Sequence, residues 1–145
     1  MENLKLIAQK MVSEGKGILA ADESTPTCTK RFEALQLQSS ELTRRSYRSA
    51  LFSTQDLEKY ISGVILFDET FNQTLKGIEK NIPQYLKEKG ILAGIKVDTG
   101  AKLLAYHNNE KITEGLDGLR ERLMQYRKNG ASFAKWRATN MAMQY

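Results

Sequence analysis

Four stretches rich in apolar residues recur along the chain, and their pattern predicts buried β-strands. Two of them, ISGVILFD and ILAGIKVD, are continuous apolar runs, which are typical of parallel strands covered on both faces. The other two, KGILAAD and SFAKWRA, combine apolar residues with charged ones. The four predicted strands comprise residues 16–22, 61–68, 91–98 and 132–138.

Helical patterns precede and separate these strands, in residues 1–14, 39–52, 82–90 and 113–130. The first segment places Leu4, Ile7 and Met11 on one stripe. In the last segment Thr113 is the predicted N-cap, and one face carries Leu116, Leu119, Leu123 and Tyr126. The least patterned connection, residues 72–80, is predicted to lie on the surface. Strand and helix alternate four times, which predicts βα units and a parallel sheet.

The composition of the 145 residues is that of one soluble domain or part of a larger one. The net charge of +5 is spread along the chain, which argues against a nucleic-acid-binding tail. No apolar run is long enough to cross a membrane, and none at the N-terminus resembles a signal peptide. The single cysteine, Cys28, suits a reducing compartment, and with the single histidine, His107, leaves too few ligands for a zinc site.

Charged residues occur at the C-terminal ends of three predicted strands: Asp22, then Lys96 and Asp98, then Lys135 and Arg137. In parallel sheets and barrels this edge carries the substrate and the catalytic side chains. A lone buried cation is costly, so the lysines require an anionic partner. Two interpretations remain open. Asp22 pairs with a lysine in a structural ion network, or the cations bind a phosphate while Asp22 is available for proton transfer.

The segment after the first strand, ESTPTCTKR, combines four hydroxyl side chains with two cations. Such a loop suits a phosphate, and it equally suits the capping of a helix. The residues concerned are Ser24, Thr25, Thr27, Thr29, Lys30 and Arg31.

Four long motifs, GKGILAADES, GVILFDET, GIKVDTG and GLDGLRERLMQYRKNGASFAKWR, occur in an order and spacing that closely resembles the N-terminal half of class I fructose-bisphosphate aldolases. The resemblance runs from about residue 11 to residue 138. It implies an α/β fold of the TIM type, a parallel (β/α)8 barrel of which residues 1–145 contain only the first four βα units, a half-barrel. It also implies a cytoplasmic, glycolytic enzyme without metal or cofactor. Such enzymes cleave fructose 1,6-bisphosphate into dihydroxyacetone phosphate and glyceraldehyde 3-phosphate through a lysine Schiff base.

The resemblance also assigns roles to individual residues. Asp22 resembles the aspartate that assists proton transfer and carbon–carbon cleavage, and Lys96 resembles the active-site lysine of the third strand. Lys135 resembles the lysine that supports the Schiff-base steps, and Arg137 an arginine that contacts a substrate phosphate. Positions near substrate phosphates or associated with substrate are matched by Ser24, Thr27, Arg31 and Arg44. Thr27 replaces a serine of many relatives, and Thr99 replaces a lysine of many animal relatives.

The resemblance places the Schiff-base lysine on a sixth strand, in a C-terminal half that this sequence does not contain. A (β/α)8 barrel typically needs about 250 residues, so four strands cannot close. We expect either a homo-oligomer or pairing with a separate C-terminal half to cover the open edge.

Two alternatives remain to an aldolase whose active site is completed by a separate C-terminal half. The chain could be a non-catalytic half-barrel that binds sugar phosphates or assembles with partners. Alternatively, Lys135 could act as the Schiff-base nucleophile, as in transaldolases, if the neighbouring Lys96 favours its neutral amine. A metal-dependent aldolase is disfavoured because one histidine cannot build its metal site.

Overall fold

The structure, a computed structural model, describes residues 3–107 and 109–139. The helices are α1 (Leu4–Met11), α2 (Thr25–Ala34), α3 (Glu41–Phe52), α4 (Leu57–Tyr60), α5 (Asp68–Phe71), α6 (Ile82–Glu88) and α7 (Leu119–Lys128). The strands are β1 (Gly17–Ala21), β2 (Ile61–Leu66), β3 (Leu92–Lys96), β4 (Gly100–Leu103), β5 (Lys111–Glu114) and β6 (Phe133–Lys135). Within the described ranges no helix is both long and apolar enough to span a membrane.

The four predicted strands form one parallel sheet in the order β1-β2-β3-β6, which confirms the prediction of βα units. Between consecutive strands of this sheet the chain crosses back to the N-terminal edge, so the C-terminal ends of all four strands lie at the same edge. Strands β4 and β5 form a separate antiparallel hairpin between β3 and α7.

The hydrophobic core lies between the sheet and the helices. Strand residues such as Val64, Leu66 and Ile95 point into this layer and are almost completely buried. Helices α3, α5 and α6 cover them with Phe52, Phe71, Ile82 and Leu86. The continuous apolar runs of β2 and β3 therefore reflect burial on both faces, as the sequence predicts.

The other face of the sheet, called the inner face below, has two glycines at its centre, where the Phe133 ring lies. Gly63, Gly94 and Phe133 belong to neighbouring strands, and the Phe133 ring lies across both glycines. A Cβ atom added at Gly94 would be 2.3 Å from that ring, and one at Gly63 would be 3.2 Å from it. The glycines thus make room for Phe133 on the inner face, directly below the row that carries the lysines.

The predicted helix over residues 113–130 is wrong in its first turns. Thr113 lies in β5 rather than at an N-cap, and α7 begins only after Gly118, whose φ is +60°. Gly115 has a φ of +128°, and a Cβ there would be 2.9 Å from the backbone nitrogen of Thr99. Arg122 donates hydrogen bonds to the carbonyls of Val97 and Gly115. The close docking of the hairpin on the end of β3 therefore replaces the helical turn.

Residues 72–80 are not simply a surface connection, as predicted. Leu75 is fully buried in the core, and the side chain of Gln73 is also largely buried. The segment is held by backbone hydrogen bonds from Leu75 to Lys80 and from Ile82 to Gln73. A single buried leucine in a polar segment has no periodicity, so the pattern of the sequence did not reveal it.

Helix α1 forms within the predicted segment 1–14, whose residues 1 and 2 lie outside the described ranges. None of its residues is fully buried, and Leu4 is 77% exposed. Its C-terminal end is fixed to the sheet, where Ser62 donates a hydrogen bond to the Met11 carbonyl at 2.7 Å.

Candidate active site

An ion pair spans the C-terminal edge of the parallel sheet. The Lys135 amine donates a hydrogen bond to Oδ2 of Asp22 at 2.5 Å. Asp22 directly follows β1, and Lys135 is the last residue of β6, so the two side chains come from the opposite edges of the sheet. The two side chains are 12% and 31% exposed, so water reaches the lysine more readily than the aspartate.

A second lysine–aspartate pair lies beside the first. Lys96 is the register partner of Lys135, and its amine is 3.8 Å from Oδ1 of Asp98. The Asp98 carboxylate is 1% exposed and accepts hydrogen bonds from the backbone nitrogens of Gly100 at 3.2 Å and Arg137 at 3.1 Å. Asp98 thus joins the end of β3 to the chain that follows β6, and each lysine has its own carboxylate.

Arg137 adds a third cation at this edge. It lies two residues after Lys135, and strand geometry places alternate side chains on the same face. Trp136, between them in the chain, is partly buried and packs against the core. Within residues 3–107 and 109–139, the Arg137 guanidinium has no ion pair or hydrogen bond, whereas its backbone nitrogen donates to Asp98 at 3.1 Å and its carbonyl accepts from Thr113 at 2.8 Å. The group formed by Asp22, Lys96, Asp98, Lys135 and Arg137 therefore carries three positive and two negative charges.

The loop between β1 and α2 presents two hydroxyls next to Asp22. Ser24 and Thr27 lie 3.1 Å apart through their side-chain oxygens. Ser24 occupies the N-cap position of α2, but its side chain makes no capping hydrogen bond. Both hydroxyls therefore stay near the start of the helix, where backbone N–H groups and the helix dipole favour an anion.

Arg31, in α2, is tied to the same loop through Glu23. The Arg31 guanidinium forms an ion pair with Oε1 of Glu23, and its side chain is 57% exposed. Glu23 also accepts a hydrogen bond at 2.5 Å from Arg48, whose side chain is 2% exposed. Burial by itself raises the pKa of Glu23, but the hydrogen bond from Arg48 and the charges of both arginines outweigh it, so the pKa lies below its ordinary value.

Glu23 and Arg48 are not among the site residues that the sequence predicts. Glu23 follows Asp22 directly in the motif AADES, which was a signal that the site extends by one residue. Arg48 stands in TRRSYR, four residues after Arg44, and nothing in the sequence distinguishes it from a solvent-exposed arginine. It also donates to the Glu23 carbonyl at 3.1 Å and contacts the Cys28 sulfur at 3.6 Å. Cys28 is 2% exposed, and this burial raises the pKa of its thiol.

Arg44 lies apart from the two lysines. Its guanidinium binds the Glu69 carboxylate through two hydrogen bonds of 2.7 Å, from Nε and from Nη2. A third bond of 3.2 Å links it to Ser39, which accepts from Thr29 at 2.9 Å. In the described part of the chain, no direct hydrogen bond or ion pair joins Arg44 to Asp22, Lys96 or Lys135.

Residues 3–107 and 109–139 contain no group of three or more His, Cys, Asp or Glu side chains arranged to hold a metal ion. The arrangement that is present combines paired carboxylates and amines with a hydroxyl loop and two arginines with exposed donors. It can exchange protons and attract an anion such as a phosphate.

Comparisons with known proteins agree on one family. The family model of class-I fructose-bisphosphate aldolase matches residues 3–144. A probable fructose-bisphosphate aldolase class 1 of Xylella fastidiosa (strain Temecula1) is 53% identical over 139 residues, which are 95% of this chain and 41% of that protein. Fructose-bisphosphate aldolase C-B of Danio rerio is 49% identical, over 94% of this chain and 38% of its own length.

A solved structure gives the same result for the fold. Plasmodium falciparum fructose-bisphosphate aldolase, crystallised with TRAP and a small-molecule inhibitor, superposes with a TM-score of 0.88 at 49% identity. The match covers 93% of this chain and 39% of that one. The chain thus spans about two fifths of the length of the relatives it matches.

Proposed function

The chain belongs to the class I fructose-bisphosphate aldolase family, and we propose that it supplies the strand-one to strand-four side of an aldolase active site. The reaction would be the reversible cleavage of fructose 1,6-bisphosphate into dihydroxyacetone phosphate and glyceraldehyde 3-phosphate. The observation that supports this most is the Asp22–Lys135 pair, 2.5 Å apart at the C-terminal edge of a parallel sheet. Lys96 stands in register beside it.

Aldol cleavage needs a base at the carbon–carbon bond that breaks. The hydroxyl on one side of that bond becomes an aldehyde and must lose its proton, while the electron pair of the bond passes to the nitrogen of the Schiff base. Asp22 is the proposed proton acceptor. Lys135 and Lys96 are proposed to stabilise the developing charges and to assist proton movement. In the family resemblance the lysine of the Schiff base itself lies on a sixth strand, beyond the four described here.

The phosphates of the substrate require cations and hydroxyls with exposed donors. Arg137, at the end of β6, is proposed to contact one phosphate. Ser24, Thr27 and Arg31 are proposed to lie near a phosphate on the β1 side. Arg44 is proposed to be associated with the substrate only through the loops it holds, since Glu69 occupies two of its nitrogens.

Among the described residues β6 pairs with β3 alone, so its other edge is available for a further strand. We infer that the four strands are the first half of a (β/α)8 barrel wall, and that residues 1–145 are the N-terminal part of a single domain. A second copy of the chain or a separate C-terminal half would cover the edge. Action in cytoplasmic glycolysis is proposed from the family alone.

Calorimetric titration with fructose 1,6-bisphosphate, together with an aldol-cleavage assay, tests the proposal. We expect binding that is weakened by Arg137→Gln and unaffected by Lys102→Gln, a matched loss of one charge on the exposed β4–β5 hairpin. We also expect very weak cleavage or none by the isolated chain. Absence of any bisphosphate binding would contradict the proposed substrate site. Rapid turnover by the purified chain would contradict the proposal that further residues complete the active site.

Borohydride trapping in the presence of dihydroxyacetone phosphate tests the transaldolase-like alternative. The Lys135 amine already donates a hydrogen bond to the Asp22 carboxylate, an arrangement suited to a cation that stabilises negative charge rather than to a nucleophile. We expect no reduced adduct on the peptide that contains Lys135. An adduct at that position would make Lys135 the nucleophile.

A further inference from the structure

One partly buried carboxylate bridges two arginines at the edge of the candidate site. Oε2 of Glu23 accepts from Arg48 and Oε1 pairs with Arg31, so the two guanidiniums share a single negative charge. Their environments differ sharply: the Arg48 side chain is 2% exposed and the Arg31 side chain 57%. Arg48 cannot reach a ligand in solvent, whereas Arg31 can.

Arg48 is bound on several sides. Besides the Glu23 carboxylate it donates to the Glu23 carbonyl at 3.1 Å, contacts the Cys28 sulfur, and lies 5.1 Å from the centre of the Tyr47 ring. Arg31 donates through Nη1 to Glu23 and also lies near the Tyr47 hydroxyl, and a guanidinium has further N–H groups that can bind another acceptor. A guanidinium can bind a carboxylate and a phosphate at the same time from its separate N–H groups.

The charge balance of the three side chains follows from this geometry. With Arg48 charged, Arg31, Glu23 and Arg48 carry a net charge of +1. Without the charge of Arg48, the Glu23 carboxylate would neutralise Arg31, and the net attraction for an anion at this edge would disappear. A buried cation can therefore control an exposed one without touching the ligand.

We propose that Arg48 is a positioning residue that keeps Arg31 available to a phosphate group by engaging the Glu23 carboxylate. The proposal rests on the proposed function, because it takes the Arg31 side of the loop as a place where a substrate phosphate binds. It adds a residue on α3, outside the loop itself, and assigns Glu23 the role of setting the strength of that phosphate contact.

A purely structural role for Arg48 is the competing explanation. Buried ion pairs add little net stability relative to apolar side chains of similar size, because burial removes the hydration of both charges. If Arg48 has only a structural role, a double variant with an apolar residue at position 48 and a neutral residue at position 23 would still bind phosphate weakly at Arg31. The two explanations therefore differ in a double variant.

Labelling of arginines with phenylglyoxal, mapped by mass spectrometry, gives a readout at Arg31 itself. The probe ligand is inorganic pyrophosphate, and the measured quantity is the concentration that protects Arg31 from labelling. We expect Arg48→Met to raise this concentration about tenfold, which corresponds to a loss of about 1.4 kcal/mol. We expect Arg48→Met combined with Glu23→Gln to restore it, since the competing carboxylate is then gone. Arg48→Lys keeps the charge and should leave protection largely unchanged.

Arg45→Met is the matched control, because it removes the same charge from the same helix, α3. Arg45 binds Thr74 and Glu79 and has no contact with Glu23 among the described hydrogen bonds. Circular dichroism verifies that each variant is folded; if Arg48→Met does not fold, the Arg48→Lys and double variants decide the question.

Any of the following results overturns the inference: no protection of Arg31 in the unaltered chain, equal protection after Arg48→Met, equal losses in Arg48→Met and Arg45→Met, or no recovery in a folded double variant. A loss of protection in Arg48→Lys also contradicts it. Bisphosphate binding that depends on Arg137 but not on Arg48 would contradict this inference alone and leave the proposed function standing.

Discussion

The Asp22 carboxylate and the Lys135 amine lie 2.5 Å apart, although two strands separate β1 from β6. Neighbouring strands are about 4.8 Å apart, so a flat sheet would hold these two strands roughly 14 Å from each other. An aspartate and a lysine side chain together do not extend that far. The contact therefore requires the sheet to curve toward its inner face, in the sense in which the wall of a parallel barrel curves.

Replacing Asp22 tests how strongly this pair restrains Lys135. Asp22→Asn removes the charged acceptor, so we expect acetic anhydride to modify Lys135 about tenfold faster, in line with the loss of a charge-assisted hydrogen bond of about 1.4 kcal/mol. Mass spectrometry of the labelled peptides measures the rate. The fold should persist, because the pair is partly exposed and exposed pairs contribute about 1 kcal/mol or less.

The exposed pair Lys59–Asp56 provides the control for that experiment. Asp56→Asn should change the labelling of Lys59 little, since both side chains already face water. Unchanged labelling of Lys135 in the Asp22→Asn chain would mean that the ion pair does not restrain the amine in solution.

The parallel sheet and the cluster of charges at its edge could both be predicted from the sequence. Continuous apolar runs ending in ionisable residues are a local signal, and parallel topology brings the ends of such runs together. Which interpretation of the charges holds could not be decided from the sequence, because it depends on a contact between residues 22 and 135. The structure shows that Asp22 does pair with a lysine.

The remaining errors come from interactions between distant segments. Thr113 has the chemistry of an N-cap, but the docking of Gly115 against Thr99 selects a hairpin instead. Arg48 is buried only because Glu23, 25 residues earlier, returns to it. Neither effect leaves a periodic pattern, so local rules assign the first wrongly and overlook the second.

The close approach of Phe133 to Gly94 predicts a steric limit. Gly94→Ala places a methyl group 2.3 Å from the Phe133 ring, so the ring or β6 must move. We expect a loss of about 1–3 kcal/mol in the free energy of unfolding in urea, the usual cost of overpacking. Gly63→Ala, with its nearest contact at 3.2 Å, should cost less.

Gly17→Ala is the matched control for both changes, since a Cβ there has no neighbour within 4 Å and the backbone φ is not positive. It should leave stability unchanged or slightly higher, because alanine reduces the freedom of the unfolded chain. Equal effects of Gly94→Ala and Gly17→Ala would show that Phe133 does not occupy the inner face.

The phenol of Tyr126 predicts a late step in the alkaline titration. Tyr126 donates a 2.7 Å hydrogen bond to Asp68, and burial, followed by that bond and the Asp68 charge, raises its pKa to about 12. The folded chain therefore holds this proton more tightly than the unfolded chain does. The resulting stabilisation is complete below about pH 10, the ordinary pKa of tyrosine, and is lost as the pH rises through 12.

Absorbance of tyrosinate near 295 nm measures this titration. One of the six tyrosines should ionise about two pH units after a normal one, and Tyr126→Phe should remove that step. Tyr60→Phe, which removes an exposed tyrosine, should leave it in place. A late step that survives Tyr126→Phe would assign it to another residue.

The buried carboxylate of Asp98 predicts how the site is held together. It accepts hydrogen bonds from the backbone nitrogens of Gly100 and Arg137, which lie on either side of the edge. Asp98→Ala leaves both donors without an acceptor, at a cost of about 1–3 kcal/mol for each buried group. We expect the amide hydrogens of Gly100 and Arg137 to exchange faster in this variant, as measured by NMR, and bisphosphate binding through Arg137 to weaken. Asp98→Asn keeps one acceptor oxygen and should show an intermediate effect. Exchange rates that stay unchanged in Asp98→Ala would mean that Asp98 does not fix the position of Arg137.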